Sequence, residues 1–441
     1  MTGAKRSILQ MNAFEHDDAA EGLLGRRMAN AGASSVLFYR EPIEMVSAQG
    51  TWMHAADGTR YLDFYNNVPS VGHCHPTVVK AVTRQLALLN INTRYLNETV
   101  ERYAEALKAT LHEGPWNLVL SCSGSEANDL AMRVAETVTG RRGYVVTENA
   151  YHGNTRSVTE ISPASCRQGA PPAHVVTIPA PGRRAYGDDI AGGFAHALGS
   201  ATALLERGGF GVAALICDSI FSSDGVHPDP PGFLASAIDH VHACGGLYIA
   251  DEVQPGFGRT GSGFWGYERH GVKPDMVTMG KPMGNGYPMA GLAARPDHLE
   301  AFSADVGYFN TFGGSPVAAA AGLAVLEVIE TEQLQENAMR VGQHLHERLK
   351  ALSERSDAIG ELRQCGLFMG IELVEANNPD RPDAELAAKT IEGLRSRRVL
   401  IGAAGKYGNT LKVRPPLCLT IEEADFFVAA LTAELQGRGL A

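Results

Sequence analysis

The sequence predicts an α/β protein: a mostly parallel sheet covered by helices on both faces, with a smaller α+β domain beside it. Two observations carry this. From about residue 75 to 325, short apolar runs alternate with helical patterns, among them Gly143-Tyr144-Val145-Val146-Thr147, Val175-Val176-Thr177-Ile178 and Ala213-Ala214-Leu215-Ile216-Cys217. Strands separated by helices pair in parallel and lie buried on both faces, so they read as continuous apolar runs rather than as alternation. The chain is also long enough for two or three domains with a large core: 441 residues, 44% apolar and 20% charged.

In chain order, residues 1 to about 35 carry mixed charge and many alanines and read as an N-terminal helical arm. Met45 to Phe64 then alternates, and Tyr61-Leu62-Asp63-Phe64 follows the turn pair Asp57-Gly58, which predicts a small antiparallel hairpin. The strand–helix stretch comes next; within it Pro163 to Gly187, with many Pro, Gly and Arg residues, reads as a surface excursion. Leu323 to Leu352 has the spacing of one long amphipathic helix, and Leu367 to Leu373 reads as a strand of the C-terminal domain. The expected division is 1–70 for the arm and part of the small domain, 71–325 for the large domain and 326–441 for the rest of the small domain. The small domain is thereby assembled from both chain ends.

The net charge of −11 argues against nucleic acid or an anionic membrane as partner. No stretch approaches the roughly 18 uninterrupted apolar residues that a membrane span needs. The polar, acidic first twenty residues are unlike a secretory signal, and the seven cysteines are odd in number and scattered. A cytoplasmic protein without a disulfide framework is therefore expected. His73-Cys74-His75 lacks a second cluster of ligands, so no metal site is expected.

The chemistry concentrates in three strand ends. Met276-Val277-Thr278-Met279-Gly280-Lys281 delivers one lysine into a glycine-rich turn, where a partly desolvated amine could hold an aldehyde cofactor as a Schiff base. Leu247-Tyr248-Ile249-Ala250-Asp251 ends in a carboxylate followed by Gln254, and strand C-termini of a parallel sheet open onto the ligand crevice. Leu118-Val119-Leu120-Ser121-Cys122 runs into Ser123-Gly124-Ser125-Glu126-Ala127-Asn128 and a helical pattern. Small residues before a helix N-terminus suit a phosphate, which the backbone N–H groups and the helix dipole can hold. Between these lies the pair Tyr151-His152.

These motifs, together with Asn66-Asn67-Val68, Val71-Gly72-His73-Cys74-His75-Pro76 and Phe309-Asn310-Thr311-Phe312-Gly313-Gly314, resemble the class III aminotransferases. These are pyridoxal-phosphate (PLP) enzymes of fold type I, and the likeness runs from about Val46 to the C-terminus. It is nearest to the subgroup of alanine–glyoxylate aminotransferase 2 and the phospho-lyases acting on ethanolamine phosphate or phosphohydroxylysine. The resemblance implies a large domain with a sheet of the seven-stranded type and PLP as cofactor. It also implies a homodimer with active sites at the interface, whether or not dimers pair further into tetramers. It gives Lys281 the cofactor linkage and the base at Cα, and Asp251 the pyridine nitrogen. Gln254 falls on the ring 3-oxygen, Tyr151 or His152 on the ring face, and Ser123, Gly124 and Ser125 around the phosphate. Thr311 reaches the same phosphate from the neighbouring subunit.

Many members hold the substrate carboxylate with an arginine three residues before a Pro-Pro pair; here that position is Lys412, in Leu411-Lys412-Val413-Arg414-Pro415-Pro416. A lysine lacks the planar fork that grips carboxylate, and Arg414 lies one pleat further on the same face. Asn66 and Asn67 add amides near the substrate, as in the phospho-lyases, and Tyr39, Arg40 and Lys406 are candidates for binding a phosphorylated amine. The expected reaction is elimination of phosphate and ammonia from ethanolamine phosphate or a similar phosphorylated amine to give an aldehyde, with transamination between an amine or amino acid and a keto acid as the alternative.

Overall fold

The computed structural model describes residues 21–32, 36–165 and 170–441. Its centre is a seven-stranded sheet in the order Asn117–Ser121, Ala290–Ala294, Met276–Met279, Leu247–Asp251, Ala214–Cys217, Tyr144–Thr147, Val175–Ile178. The five strands from Met276–Met279 to Val175–Ile178 are parallel. Ala290–Ala294 runs antiparallel to both its neighbours. Four of these strands, Tyr144–Thr147, Ala214–Cys217, Met276–Met279 and Ala290–Ala294, are buried along their whole length, as helices on both faces require. Leu130, Ala131, Val134 and Ala135 of the helix Gly124–Thr139 belong to that core.

Register positions the chemistry. Ile249 pairs with Met276 and Asp251 with Thr278, so the carboxylate at one strand end stands beside the strand whose next turn carries Lys281.

Two smaller sheets flank this one. Met45–Gln49, Trp52–Ala55 and Arg60–Asp63 form an antiparallel meander, to which Val399–Leu400 adds in parallel opposite Leu62 and Asp63. One sheet thus unites both ends of the chain. Ile359–Cys365, Phe368–Glu375, Thr410–Val413 and Gly402–Ala404 form an antiparallel sheet with Asn378–Pro382 on its side.

Three expectations change. The hairpin of Met45 to Phe64 is a three-stranded meander, because the chain also turns at Gly50, whose φ of 58° a glycine adopts freely. The single helix of Leu323 to Leu352 is two, Pro316–Thr331 and Leu334–Ser353, broken where Gln333 takes a left-handed φ of 51°. The first helix is buried nearly all round, whereas the second buries one stripe: Leu334, Ala338, Val341, Leu345, Leu349 and Leu352. The two must face different walls, so the chain turns between them. The excursion from Pro163 to Gly187 contains the edge strand Val175–Ile178, and Pro163 and Ala164 are buried. Of the N-terminal arm, the helix Gly22–Ala31 is present; residues 1–20 and 33–35 lie outside the described residues.

Candidate active site

A cavity opens at the C-terminal ends of the central strands, lined by Gly124, Ser125, Tyr151, His152, Gly153, Asp218, Asp251, Val253, Gln254 and Lys281. Lys281 begins a tight turn, Lys281–Gly284, with φ of 25°, a left-handed backbone that costs a non-glycine residue of order 1–3 kcal/mol and persists where the surroundings impose it. They do so here. A Cβ on Gly280 would lie 3.3 Å from the Gly124 nitrogen, so the lysine turn packs directly on the start of the helix Gly124–Thr139. Burial lowers the Lys281 pKa; Asp251 opposes this, Arg414 adds to it, and Asp218 opposes it again. The net direction is toward the neutral amine that a nucleophile or base needs.

Asp251 is fully engaged. Its Oδ2 is 2.7 Å from His152 Nδ1 and accepts from Asn128 Nδ2 at 3.0 Å, and its Oδ1 accepts from the Val253 N–H at 3.1 Å. Asn128 is itself fixed: its Oδ1 accepts from Thr278 Oγ1 at 2.6 Å, and its amide also donates to the His152 carbonyl at 2.7 Å. The carboxylate is therefore held to one direction by three elements. With Nδ1 donating to Asp251, His152 Nε2 is left as a buried acceptor without a partner.

At the helix start, Ser123 Oγ accepts from the Glu126 N–H at 3.3 Å, and the Glu126 carboxylate returns to the Cys122 N–H at 2.9 Å. This cap leaves the N–H groups of Gly124 and Ser125, which line the cavity, untaken. Gly153 has φ of 147°, and a Cβ there would come 2.5 Å from Ser125 Oγ. Only glycine lets the Tyr151–Gly153 segment close over the helix end. Gly124, Gly153 and the open N–H groups form a cradle of the shape and polarity that a phosphate needs, which fits a phosphorylated cofactor.

The other half of the site is built from the smaller sheets. Arg414 Nη1 donates to Gln254 Oε1 at 3.1 Å and to Asn67 Oδ1 at 3.5 Å, and the guanidinium lies 4.4 Å over the Tyr65 ring. Its Nε is buried with no partner among the described residues. Lys412 is 3% exposed, and among the described residues its ammonium makes no hydrogen bond or ion pair; its nearest recorded contact is the Phe368 ring at 5.4 Å. Burial drives its pKa well down, repulsion from Arg414 adds to that, and Asp218 pulls the other way. A buried amine and a half-buried guanidinium thus repel one another across the site, with no carboxylate in contact with either among the described residues.

Other sequence-derived candidates lie elsewhere. Asn66 is turned back onto Asp63, donating to its Oδ2 at 3.0 Å. Tyr39 is buried with its hydroxyl 3.4 Å from the Ile401 carbonyl, and the backbone N–H of exposed Arg40 donates to Glu392 at 3.2 Å. Lys406 pairs with Glu148 at 2.7 Å and lines a separate cavity with Arg183, Arg184 and Arg363. None of these four lines the Lys281 cavity; Asn67, Lys412 and Arg414 do not line it either, but Asn67 and Arg414 bond Gln254, which does, and Lys412 lies close enough to Lys281 to feel its charge. Thr311 is exposed, on a loop tied to the helix start by the Asn310–Glu126 hydrogen bond at 3.3 Å. Sequence reading passed over Asn128, Asp218 and Ser222. Asp218 carried the same signal as Asp251, a carboxylate directly after an apolar strand, and Asn128 was a lone amide on an otherwise apolar helix face.

A lysine, an aspartate and a helix N-terminus converging at the C-terminal edge of this sheet define an α/β enzyme that works through a phosphorylated aldehyde cofactor. The comparisons with known proteins make this specific. The profile described as aminotransferase class-III matches residues 38–435. An alanine–glyoxylate aminotransferase 2-like protein of Drosophila melanogaster is 39% identical over 430 residues, covering 93% of this chain and 87% of the relative. Ethanolamine-phosphate phospho-lyase homolog 1 of Caenorhabditis elegans is 38% identical over 420 residues, covering 90% of each. The structure of a phospholyase from Arthrobacter in complex with phosphoethanolamine superposes with a TM-score of 0.91 at 42% identity, covering 94% of this chain and 99% of that one. The chain belongs to the class III aminotransferase family, PLP-dependent enzymes of transaminase or lyase type.

Proposed function

We propose that this enzyme is a phospho-lyase that converts ethanolamine phosphate, or a similar phosphorylated amine, and water into an aldehyde, ammonia and inorganic phosphate. The observation that carries the reading is the buried Lys412 with the half-buried Arg414, neither having a carboxylate partner among the described residues. Burial and Arg414 both oppose the charge on Lys412, and a dianionic phosphate that bridges the two side chains restores it. A carboxylate would engage the Arg414 fork and leave Lys412 uncompensated. The likeness to a phospholyase seen with phosphoethanolamine supports the same reading.

PLP, when bound, supplies an electron sink for the bond broken at the substrate Cα. The chain's residues supply the rest. Gly124 and Ser125 hold its phosphate by backbone N–H groups. Asp251, fixed by His152 and Asn128, would pair with the ring nitrogen and keep it protonated, and Tyr151 or His152, both of which line the cavity, would stack on the ring. Gln254 faces the ring 3-oxygen. Lys281 anchors the cofactor and, once freed, takes the proton from Cα. The carbon–oxygen bond to phosphate then breaks with its electron pair leaving on oxygen, and Lys412 and Arg414 receive that charge.

We further propose that the working unit is a homodimer in which Thr311 reaches the partner's cofactor phosphate. Leu96 (97% exposed), Tyr95 (64%) and Phe312 (75%) support this. The two segments that carry them are held together where Arg94 stacks on Phe309 at 4.2 Å, and exposed large apolar side chains of this kind mark an interface.

The test is purified enzyme with PLP and ethanolamine phosphate but no keto acid. A lyase returns its cofactor unchanged each cycle and releases phosphate and ammonia over many turnovers. Absence of phosphate, with brisk exchange between an amine and a keto acid, would make the enzyme a transaminase.

A further inference from the structure

The carboxylate of Asp218 lines the Lys281 cavity, yet the roles above leave it unused. It sits directly after the strand Ala214–Cys217, and what it holds is Ser222. Asp218 Oδ1 accepts from the N–H groups of Ile220 at 3.0 Å and Ser222 at 3.1 Å, and its Oδ2 accepts from Ser222 Oγ at 2.6 Å. The single hydroxyl proton of Ser222 is thereby committed, so its oxygen can only accept toward its other neighbour. That neighbour is Gln254, whose Nε2 donates to Ser222 Oγ at 2.7 Å. With Nε2 at this end, Oε1 is turned toward Arg414 Nη1 at 3.1 Å and Asn67 Nδ2 at 3.4 Å.

The order of donors and acceptors matters. A flipped Gln254 would aim Oε1 at a hydroxyl with no proton to give and its NH₂ at a guanidinium. Both ends would be repelled, and Ser222 and Gln254 are buried, so water does not replace the lost bonds. In the observed orientation the second Nε2 proton is left over on a side chain that lines the Lys281 cavity. Arg414, tied at Nη1, keeps its Nε and Nη2 edge for an anion. We propose that Ser222, its hydroxyl held by Asp218, is a positioning residue that fixes the Gln254 amide, so that one hydrogen-bond chain sets both the N–H presented to the cofactor and the direction of the Arg414 edge.

The inference rests on the phospho-lyase reading only for its choice of substrate. Ser222→Ala removes the hydroxyl and leaves Asp218, Gln254 and Arg414 in place. Loss of one hydrogen bond within a charged network is expected to raise KM for ethanolamine phosphate about tenfold and to change kcat less than about threefold. The pH titration of the visible absorbance band of the PLP-loaded enzyme is expected to shift its midpoint by about half a unit or more, because the donor facing the ring oxygen is no longer fixed. A serine that merely fills space would leave that midpoint where it is. Asp218→Asn, which gives the Ser222 hydroxyl a weaker acceptor, is expected to move KM and the midpoint in the same directions by less, and it stands in if Ser222→Ala does not fold. A folded variant with wild-type KM and wild-type midpoint would overturn the proposal. If the wild-type enzyme releases no phosphate at all, the phospho-lyase reading falls, and the absorbance titration still decides the role of Ser222.

Discussion

The two halves of the active site are built on opposite terms. In the cofactor half the acidic group is held in place: both Asp251 oxygens are hydrogen-bonded, with one acceptor site left over, and Asn128 is bonded to Thr278 behind them. In the substrate half the charges are left open: Lys412 has no polar partner among the described residues, and Arg414 keeps an unpaired Nε. The first half is preorganised for a ligand that stays, the second for an anion that comes and goes. Their construction differs to match. The cofactor half comes from neighbouring strands of one sheet, whose register alone brings Asp251 beside Thr278. The substrate half needs Asn67 from near one chain end and Arg414 from near the other, which meet at Gln254, with Lys412 two residues before Arg414.

The contrast predicts different losses on the two sides. Lys281→Ala should do most damage, lowering turnover on the order of 10³-fold or more and abolishing the visible absorbance, because anchor and base are one residue. Near-normal activity would remove Lys281 from the chemistry. Asp251→Asn should still bind PLP yet react about a hundredfold slower, since a preorganised charge is lost without loss of shape; wild-type kcat would take Asp251 off the ring nitrogen. On the open side, Lys412→Met or Arg414→Ala should spare the absorbance spectrum and cost about one to two decades in kcat/KM for the phosphorylated amine. An altered spectrum with unchanged KM would mean that these cations serve the cofactor half instead.

The smallest effect lies outside both halves, at Asp224 in the separate cavity that Lys406 lines. Burial pushes the Asp224 carboxyl up to about 7, against the bonds it accepts from Thr147 Oγ1 and the Asn149 N–H. A carboxyl raised in the folded state binds a proton that the unfolded chain has already lost. Its stabilisation is complete below the ordinary carboxylate range and disappears as pH rises through about 7. Between pH 5 and pH 8 the holoenzyme's Tm should therefore lose roughly 2 °C relative to that of Asp224→Asn. Parallel Tm curves for the two proteins would remove Asp224 as the cause.

What the sequence made legible follows the same division. Lys281, Asp251 and the Ser123–Ser125 turn are local signals: an apolar strand ends and a functional group follows, and parallel pairing gathers such ends at one edge. Asp218 gave that signal too, but Asp-Ser-Ile-Phe-Ser has none of the glycines that marked the other turns, and its importance lies in contacts with Ser222 and Gln254. The helix break at Gln333 was hidden because apolar spacing continues across it; only the walls on either side dictate the turn. Lys406 was read as a substrate charge, whereas the fold places Glu148, far away in sequence, beside it. The partner of an exposed charge is a long-range fact that no local pattern records.

The claim that the open cations seat a phosphate is tested most directly with inorganic phosphate, the expected product, titrated against the holoenzyme as an inhibitor. Saturable inhibition competitive with ethanolamine phosphate is predicted for the wild type. Affinity should weaken about ten- to a hundredfold in Lys412→Met while the visible absorbance spectrum stays unchanged. Equal phosphate affinity in the wild type and in Lys412→Met would contradict the account.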